Sequence, residues 1–294
     1  MYKRIALLFT ILLLNSGIAR RPAIAYLVPH LPHLDDRQLE REGNDLLGES
    51  IQLAQLQQFD LAITRAKLAT QLIPKNPDVW SVLGGLYLAD NKTDLSIAAL
   101  QKAKALEPKE SAIWFRLGNA YFQKKDYPKA IESLQSGLAL KPNVPGALFD
   151  LGNAYLMSGK KNEAIATYEK AYAQDKKFWY PLNNIGLIKY EIGDVKEAIR
   201  LWKLSVAAAT DSTGAEPKLA LAVATYQTGD QDQGLKLGEA AVKLDSRYSD
   251  IKFLKENLWG DRLIAATQEF LELPRIKAAI SQSKSTESEG RSPR

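Results

Sequence analysis

Neutral-pH catalysis and metal binding draw first on histidine and cysteine, and this chain offers little of either. It contains no cysteine and only two histidines, His30 and His33. Thiolate nucleophiles, disulfides and sulfur-ligated zinc are thereby excluded. The two imidazoles stand three residues apart, but Pro32 lies between them and breaks the helix that would align them as ligands. Both also precede everything that reads as folded, so no nucleophile–histidine–acid set can be assembled. No phosphate-binding loop or metal cluster is visible. Carboxylates are plentiful, but they fall on solvated helix faces. The expectation is a protein that is not an enzyme and holds no metal or cofactor. Lys102, Lys104, Lys124, Lys125 and Lys129 form a basic run near aromatic residues. Acidic residues interleave with them and the formal net charge is only +5, so no nucleic-acid partner is expected.

The chemistry left is that of amides and aromatic rings, and it occurs in repeated words. RLGNAYF (116–122) returns as DLGNAYL (150–156), 34 residues on. The same step relates Gly84, Gly118, Gly152 and Gly186; Leu83, Leu117, Leu151 and Ile185; and Trp80 and Trp114, with Leu148 and Leu182 continuing that column. Tyr87, Tyr121 and Tyr155 keep it, as do Ala62, Ser96, Ala130, Ala164 and Ala198, and Pro74, Pro108 and Pro142. A fixed period of this length is the signature of a solenoid.

Within one unit the spacing specifies two helices. Trp114, Leu117, Gly118 and Tyr121 fall at i, i+3, i+4 and i+7, one face of a helix. Lys124-Lys125-Asp126 interrupts the apolar pattern, and Pro128 suits the first turn of a second helix. Ala130, Ile131, Leu134, Leu138 and Leu140 give that helix its apolar stripe, and Lys141-Pro142-Asn143 ends it. The small residues Gly118 and Ala130 allow the two helices to approach closely. A lone pair cannot bury its apolar face, whereas stacked pairs can.

Trp-x-x-Leu-Gly-x-x-Tyr followed by Ala, Ala and Pro at these offsets resembles the tetratricopeptide repeat (TPR). The resemblance implies an all-α solenoid of about six helix-turn-helix units in a right-handed superhelix. The units run 43–76, 77–110, 111–144, 145–178, 179–212 and about 215–248, within an array over 38–248. The first unit lacks the signature aromatic and glycine, and the fifth has Lys189 at the tyrosine position with Tyr190 beside it. The sixth is shifted by about two residues, with an inserted loop expected at Asp211 to Gly214. Residues 249–273 lack the repeat word and are expected to form a capping helix pair. The phrase LWGDRLIAATQ (258–268) is similar to the closing segment of some cyanobacterial TPR proteins. The Ser-, Lys- and Glu-rich stretch 274–294 reads as a disordered tail.

In this family the first helix of each unit lines the concave side. The resemblance places the second, fifth, sixth, ninth, twelfth and thirteenth positions of a unit on that side. The candidate groove residues are then Phe115, Arg116, Asn119 and Phe122 from the third unit; Phe149, Asp150 and Asn153 from the fourth; and Tyr180, Asn183, Asn184 and Tyr190 from the fifth. Asparagine can donate to and accept from a peptide backbone, and aromatic faces take apolar side chains at low entropic cost. The implied partner is an extended protein or peptide segment. The competing expectation is that Phe115 and Phe149 pack between repeats while the asparagines bridge helices. The clamp by which some TPR proteins hold acidic chaperone tails is not expected. Asn153 and Asn184 fit two of its places, but Phe149 replaces a lysine and the next unit offers no Lys/Arg pair.

The N-terminus, MYKRIALLFTILLLNSGIARRPAIA (1–25), reads as a targeting segment. Lys3 and Arg4 precede the apolar run Ile5 to Leu14, and Ala23-Ile24-Ala25 fits a small-x-small cleavage site. It is expected to be a cleaved signal peptide or an N-terminal membrane anchor, followed by a linker (26–37). The folded body would then be exported, to a periplasm or thylakoid lumen, or tethered to a membrane. A role in assembling a membrane or photosynthetic complex, or self-association through the C-terminal helix pair, would suit such a scaffold.

Overall fold

The computed structural model describes residues 35–210 and 213–290. The targeting segment 1–25 and most of the linker lie outside the described residues. Among those described, regular structure is helical, in six antiparallel pairs. They are α1 (Asp36–Gln55) with α2 (Phe59–Leu72), α3 (Pro77–Ala89) with α4 (Thr93–Leu106), and α5 (Ser111–Gln123) with α6 (Tyr127–Leu140). The second three are α7 (Pro145–Met157) with α8 (Lys161–Gln174), α9 (Tyr180–Glu191) with α10 (Val195–Ala208), and α11 (Ala215–Gln227) with α12 (Gln231–Leu244). The last residues of the expected linker, Asp36 and Arg37, are helical, because α1 starts earlier than the repeat pattern does.

The turn inside each pair recurs at the repeat step. Gln57, Asn91, Lys125, Gly159 and Gly193 all have positive φ, at 59°, 58°, 64°, 77° and 93°. These are successive 34-residue steps. The sixth falls at Gly229, φ 109°, two residues late, as the register shift of that unit predicts. Caps recur less strictly: Asp126, Asp194 and Asp230 accept from backbone N–H groups of Lys129, Glu197 and Gln233 at the starts of their helices.

The glycine column has a more specific role than backbone approach alone. A Cβ on Gly118 would lie 2.5 Å from Leu134 Cγ, and one on Gly152 would lie 2.4 Å from a ring carbon of Tyr168. Each glycine is therefore the socket for a large side chain of the partner helix. Leu134 and Tyr168 are both fully buried there, and burying a leucine contributes about 1.5–3 kcal/mol. Adjacent units are stitched by a second repeated device: Gln101 Nε2 donates to Tyr121 Oη at 3.0 Å, and Gln135 to Tyr155 at 2.8 Å. Trp80 and Trp114 donate their indole N–H to the carbonyls of Pro74 and Pro108 at 2.8 and 2.7 Å. In the fifth unit Tyr190, not Lys189, is the buried residue.

First helices of neighbouring units touch one another (α3 with α5, α5 with α7, α9 with α11). They therefore lie on the inside of the array's curve. The closing segment is a 3-10 turn (Ser246–Ser249), α13 (Ile251–Glu256) and α14 (Asp261–Leu271). Residues 274–294, expected as a disordered tail, instead begin with a helix, α15 (Pro274–Gly290), packed on α12. Lys277, Ser281, Lys284 and Ser285 form an exposed outer face. The inner stripe Ile276, Ala279, Ile280 and Ser283 has the spacing i, i+3, i+4, i+7. Ile276 is fully buried, Ser283 Oγ donates to the Val242 carbonyl at 3.1 Å, and Arg275 bridges Glu239 and Asp232.

Candidate functional site

The closing segment does not stay at the end of the stack. α14 packs against α9 and α11, the inward helices of the last two units. Glu191, at the end of α9, caps it: Oε2 accepts from the Arg262 N–H at 3.2 Å and Oε1 from the Leu263 N–H at 2.9 Å. The approach is so close that a Cβ on Gly260 would fall 2.2 Å from the Glu191 carboxyl carbon. Arg262 lies over the Tyr190 ring at 5.2 Å, and Trp259 Nε1 donates to Glu216 Oε1 at 3.0 Å. The inner face of the last units is thus covered by the chain itself. Where the cover ends, a cleft of about 310 Å³ opens.

One wall of this cleft is repeat surface: Phe122, Phe149, Asn153, Tyr180 and Asn184. The other is Glu216 with Tyr248, Glu256, Asn257 and Leu258 of the closing segment. The aromatic residues form a continuous group, Phe149 lying 5.6 Å from Tyr168, 5.4 Å from Phe178 and 6.0 Å from Tyr180. Trp179 stacks on Tyr180 at 3.8 Å. The amides form a network. Tyr168 Oη donates to Asn153 Oδ1 at 2.6 Å, and Asn184 Nδ2 donates to the same oxygen at 3.0 Å.

Of the candidate groove residues, Phe122, Phe149, Asn153, Tyr180 and Asn184 meet at the cleft. Arg116 and Asn119 are exposed farther along the same face, where Arg116 donates to Ser81 Oγ and Asn119 donates toward Asp150. Three others are turned to packing. Phe115 fills the space over Gly137 between α5 and α6. Asn183 is buried and donates to Asn184 Oδ1 at 3.3 Å. Tyr190 is buried against Trp202, and its hydroxyl donates to Gln227 Oε1. The position count is unchanged there; the closing segment covers Tyr190 with Arg262. The basic run is divided among local partners: Lys102 and Lys104 lie over Trp80 and Trp114 at 4.2 and 4.8 Å, and Lys124 pairs with Asp94 at 2.7 Å.

Two carboxylates at this face are perturbed. Burial pushes Asp150 up to about 6, with the Asn119 hydrogen bond opposing. Burial pushes Glu216 up to about 7, opposed by hydrogen bonds from Trp259, Asn183 and Tyr248. Tyr168 is also raised by burial, so its hydroxyl stays protonated and serves as a donor. Among the described residues no group of three or more histidine, cysteine or carboxylate side chains could hold a metal ion.

A TPR-repeat family model matches residues 118–159, and a tetratricopeptide-repeat model matches 145–178. Pseudomonas aeruginosa PilF superimposes with a TM-score of 0.62 at 15% identity, over 75% of this chain and 98% of that one. A MamA crystal structure gives 0.51 at 26% identity, over 54% of this chain and 93% of that one. Cut9, from the Cut9–Hcn1 hetero-tetramer of APC/C, gives 0.60 at 18% identity, over 79% of this chain and 46% of that one. No curated protein sequence matches the chain. Residues 118–178 are tetratricopeptide repeats, and the chain has the fold of a TPR solenoid.

TPR arrays are protein-interaction scaffolds, typically without catalysis. In TPR terms, the residue that sequence reasoning missed is Glu216. It occupies the second, inward position of the sixth unit, the same position that marks Ala112, Gly146 and Tyr180. The candidate groove residues come from the third to fifth units, and the sixth, with its shifted register, supplies none. Tyr248, Glu256, Asn257 and Leu258 carry no repeat signal, because a fold-back of the chain brings them to the TPR face.

Proposed function

We propose that this TPR protein binds an extended segment of a protein partner along its inner face, from Arg116 on α5 through Asn119 and Asp150 to the cleft at Phe149, Asn153 and Tyr180. The observation that carries this reading is the cleft itself, where solvent-reaching aromatic rings stand beside an ordered amide network. The rings offer area for side chains, and Asn119 offers an exposed amide for backbone groups. Ordering of Asn153 by Tyr168 and Asn184 lowers the entropy lost on binding. The test is capture of partners by the full chain, repeated with Asn119→Ala, Phe149→Ala and Tyr180→Ala. Loss of the same partners from all three, with helicity unchanged, is expected; an unaltered partner set would remove the inner face from consideration.

A role in assembling a larger complex fits such a scaffold, and the Cut9 neighbour is itself seen in a complex with Hcn1. Among the described residues no helix is long and apolar enough to cross a membrane. Export or membrane tethering therefore rests on the reading of 1–25. Its test is N-terminal sequencing of the mature protein together with fractionation: an intact Met1 in a soluble cytosolic fraction would refute it. Self-association through the closing helices is less favoured, because Phe270, Leu271 and Ile276 are buried within this chain.

A further inference from the structure

The cleft carries a charge preference. Phe122, Phe149, Tyr180 and Tyr248 give it aromatic walls, Glu216 and Glu256 give it carboxylates, and no lysine or arginine lines it. Tyr180 is 41% exposed, so its ring is available to a ligand. Asp150 adds a third carboxylate, one residue after Phe149 on the same inward helix. Among the described residues, neither Asp150 nor Glu216 has a cation acting on it. Two basic groups near the closing segment are engaged elsewhere, and a third makes a long, exposed ion pair with Glu256 that a bound cation would displace. Arg247 is paired with Asp245 at 2.7 Å, Arg262 lies over Tyr190, and Lys252 sits 3.9 Å from Glu256 with both side chains largely exposed. Beneath the cleft, the buried Asn183 Oδ1 has no hydrogen-bond partner, so this region is short of donors.

Aromatic faces attract cations through the ring quadrupole, and carboxylates complete the match. We propose that the cleft takes a lysine or arginine side chain of the protein partner, the aromatic rings holding its alkyl stem and Glu216 and Glu256 its charge. This rests on the groove reading above, because the cleft is continuous with the inner face along which the partner's backbone would run. A long aliphatic stem with a cationic tip suits a cleft with aromatic sides and acidic walls. Occupation also relieves the unfavourable burial of an unpaired carboxylate.

Binding is therefore linked to proton release. The groups facing Glu216 are Asn183 from α9, Tyr248 from the 3-10 turn and Trp259 from the loop; those facing Asp150 are Asn119 from α5 and Tyr168 from α8. Of these, only the tyrosines titrate, and Tyr248 and Tyr168 are both raised by burial. The carboxylates alone set the dependence near neutrality. Affinity rises as the pH is taken from about 5.5 to about 8.

The test uses the full chain and an array of short peptides with random flanks around a central Lys, Arg, norleucine or Glu. Lys and Arg peptides are expected to be retained about tenfold better than norleucine peptides, and Glu peptides least. Glu256→Gln and Tyr180→Ala alter side chains that reach solvent, and unchanged helicity of each variant is the check that the fold is intact. Glu256→Gln should reduce the preference for lysine over norleucine about threefold or more, whereas Tyr180→Ala, which removes a ring holding the alkyl stem, should weaken lysine and norleucine peptides alike. Equal retention of Lys, norleucine and Glu peptides overturns the cation site and leaves the groove standing. Retention of no peptide at all overturns both. Lysine methyl ester binding as tightly as the best lysine peptide would assign the cleft to a free amine and overturn the protein partner.

Discussion

Replacing Glu216 by glutamine should make this protein more stable, and only above a particular pH. Glu216 is 6% exposed, and burial lifts its carboxyl from 4.5 to about 7. The folded chain therefore holds the proton more tightly than the unfolded chain. Its stabilising effect is complete below the unfolded value and is lost as pH rises through about 7. Each pH unit of such displacement is worth about 1.4 kcal/mol, so the ionised side chain opposes folding by about 3 kcal/mol well above pH 7. Glutamine removes the titration and keeps an oxygen to accept from Trp259. Its amide also adds a donor beside Asn183, whose Oδ1 has no partner.

The assay is denaturant unfolding of wild type and Glu216→Gln at a series of pH values, followed by circular dichroism. Near pH 5 the two should agree to within about 1 kcal/mol, and near pH 8.5 the variant should be more stable by about 2–3 kcal/mol. Asp150, raised to about 6, adds a slope of the same sign to both proteins. Subtracting one curve from the other removes it. Because burial and not a neighbouring charge causes the shift, the difference should persist in high salt. Parallel curves, or a variant less stable than wild type near pH 8.5, would refute the reasoning.

Other consequences concern the scaffold. Gly118→Ala would drive a Cβ to 2.5 Å from Leu134 Cγ and should cost about 1–3 kcal/mol in unfolding experiments. Gly146→Ala, at a helix position with nothing within 4 Å, should be neutral or slightly stabilising. Glu191→Ala should strip the amide protection of Arg262 and Leu263 in hydrogen exchange and cost about 1–2 kcal/mol, leaving α1 to α8 protected. Ile276→Asp should detach α15, lowering helicity and opening 274–290 to protease, with a stability loss of about 2–4 kcal/mol.

The array was legible in the sequence because each structural requirement recurs and so is written several times. A single glycine is weak evidence. Gly84, Gly118, Gly152 and Gly186, each followed sixteen residues later by the large side chain it accommodates, are not. The left-handed turn residues carry the same step without any common residue type, since Gln57, Asn91 and Lys125 fill it as well as glycine does. Geometry repeats there while the letter does not, and composition alone would miss it. α15 escaped notice for the opposite reason. Its contacts with α12 occur once and need only a narrow apolar stripe, so the polar outer face dominates the reading.

The site was half legible, and the division follows from the same physics. Positions counted along a repeat put Phe122, Phe149, Asn153, Tyr180 and Asn184 on one inward face, because the helix period fixes which face a side chain takes, and the structure brings them together at the cleft. The count does not reveal what lies opposite that face. Tyr190 holds an inward position and is nevertheless buried, because Arg262 and Gly260 arrive from about seventy residues downstream. Glu216 and Trp259 meet across 43 residues. A solenoid reads its own neighbours locally, so contacts of such separation carry no periodic trace. The closing segment packs on the inner face over α9 and α11 and meets the α7 surface across the cleft. On the proposed reading a partner would meet Arg116 and Asn119 first and the acidic cleft last. The two words that began as copies, RLGNAYF and DLGNAYL, differ at the inward position that holds Arg116 in one and Asp150 in the other. On the proposed reading that difference puts opposite charges at successive points along the inner face, which would give an extended ligand a direction as well as a place.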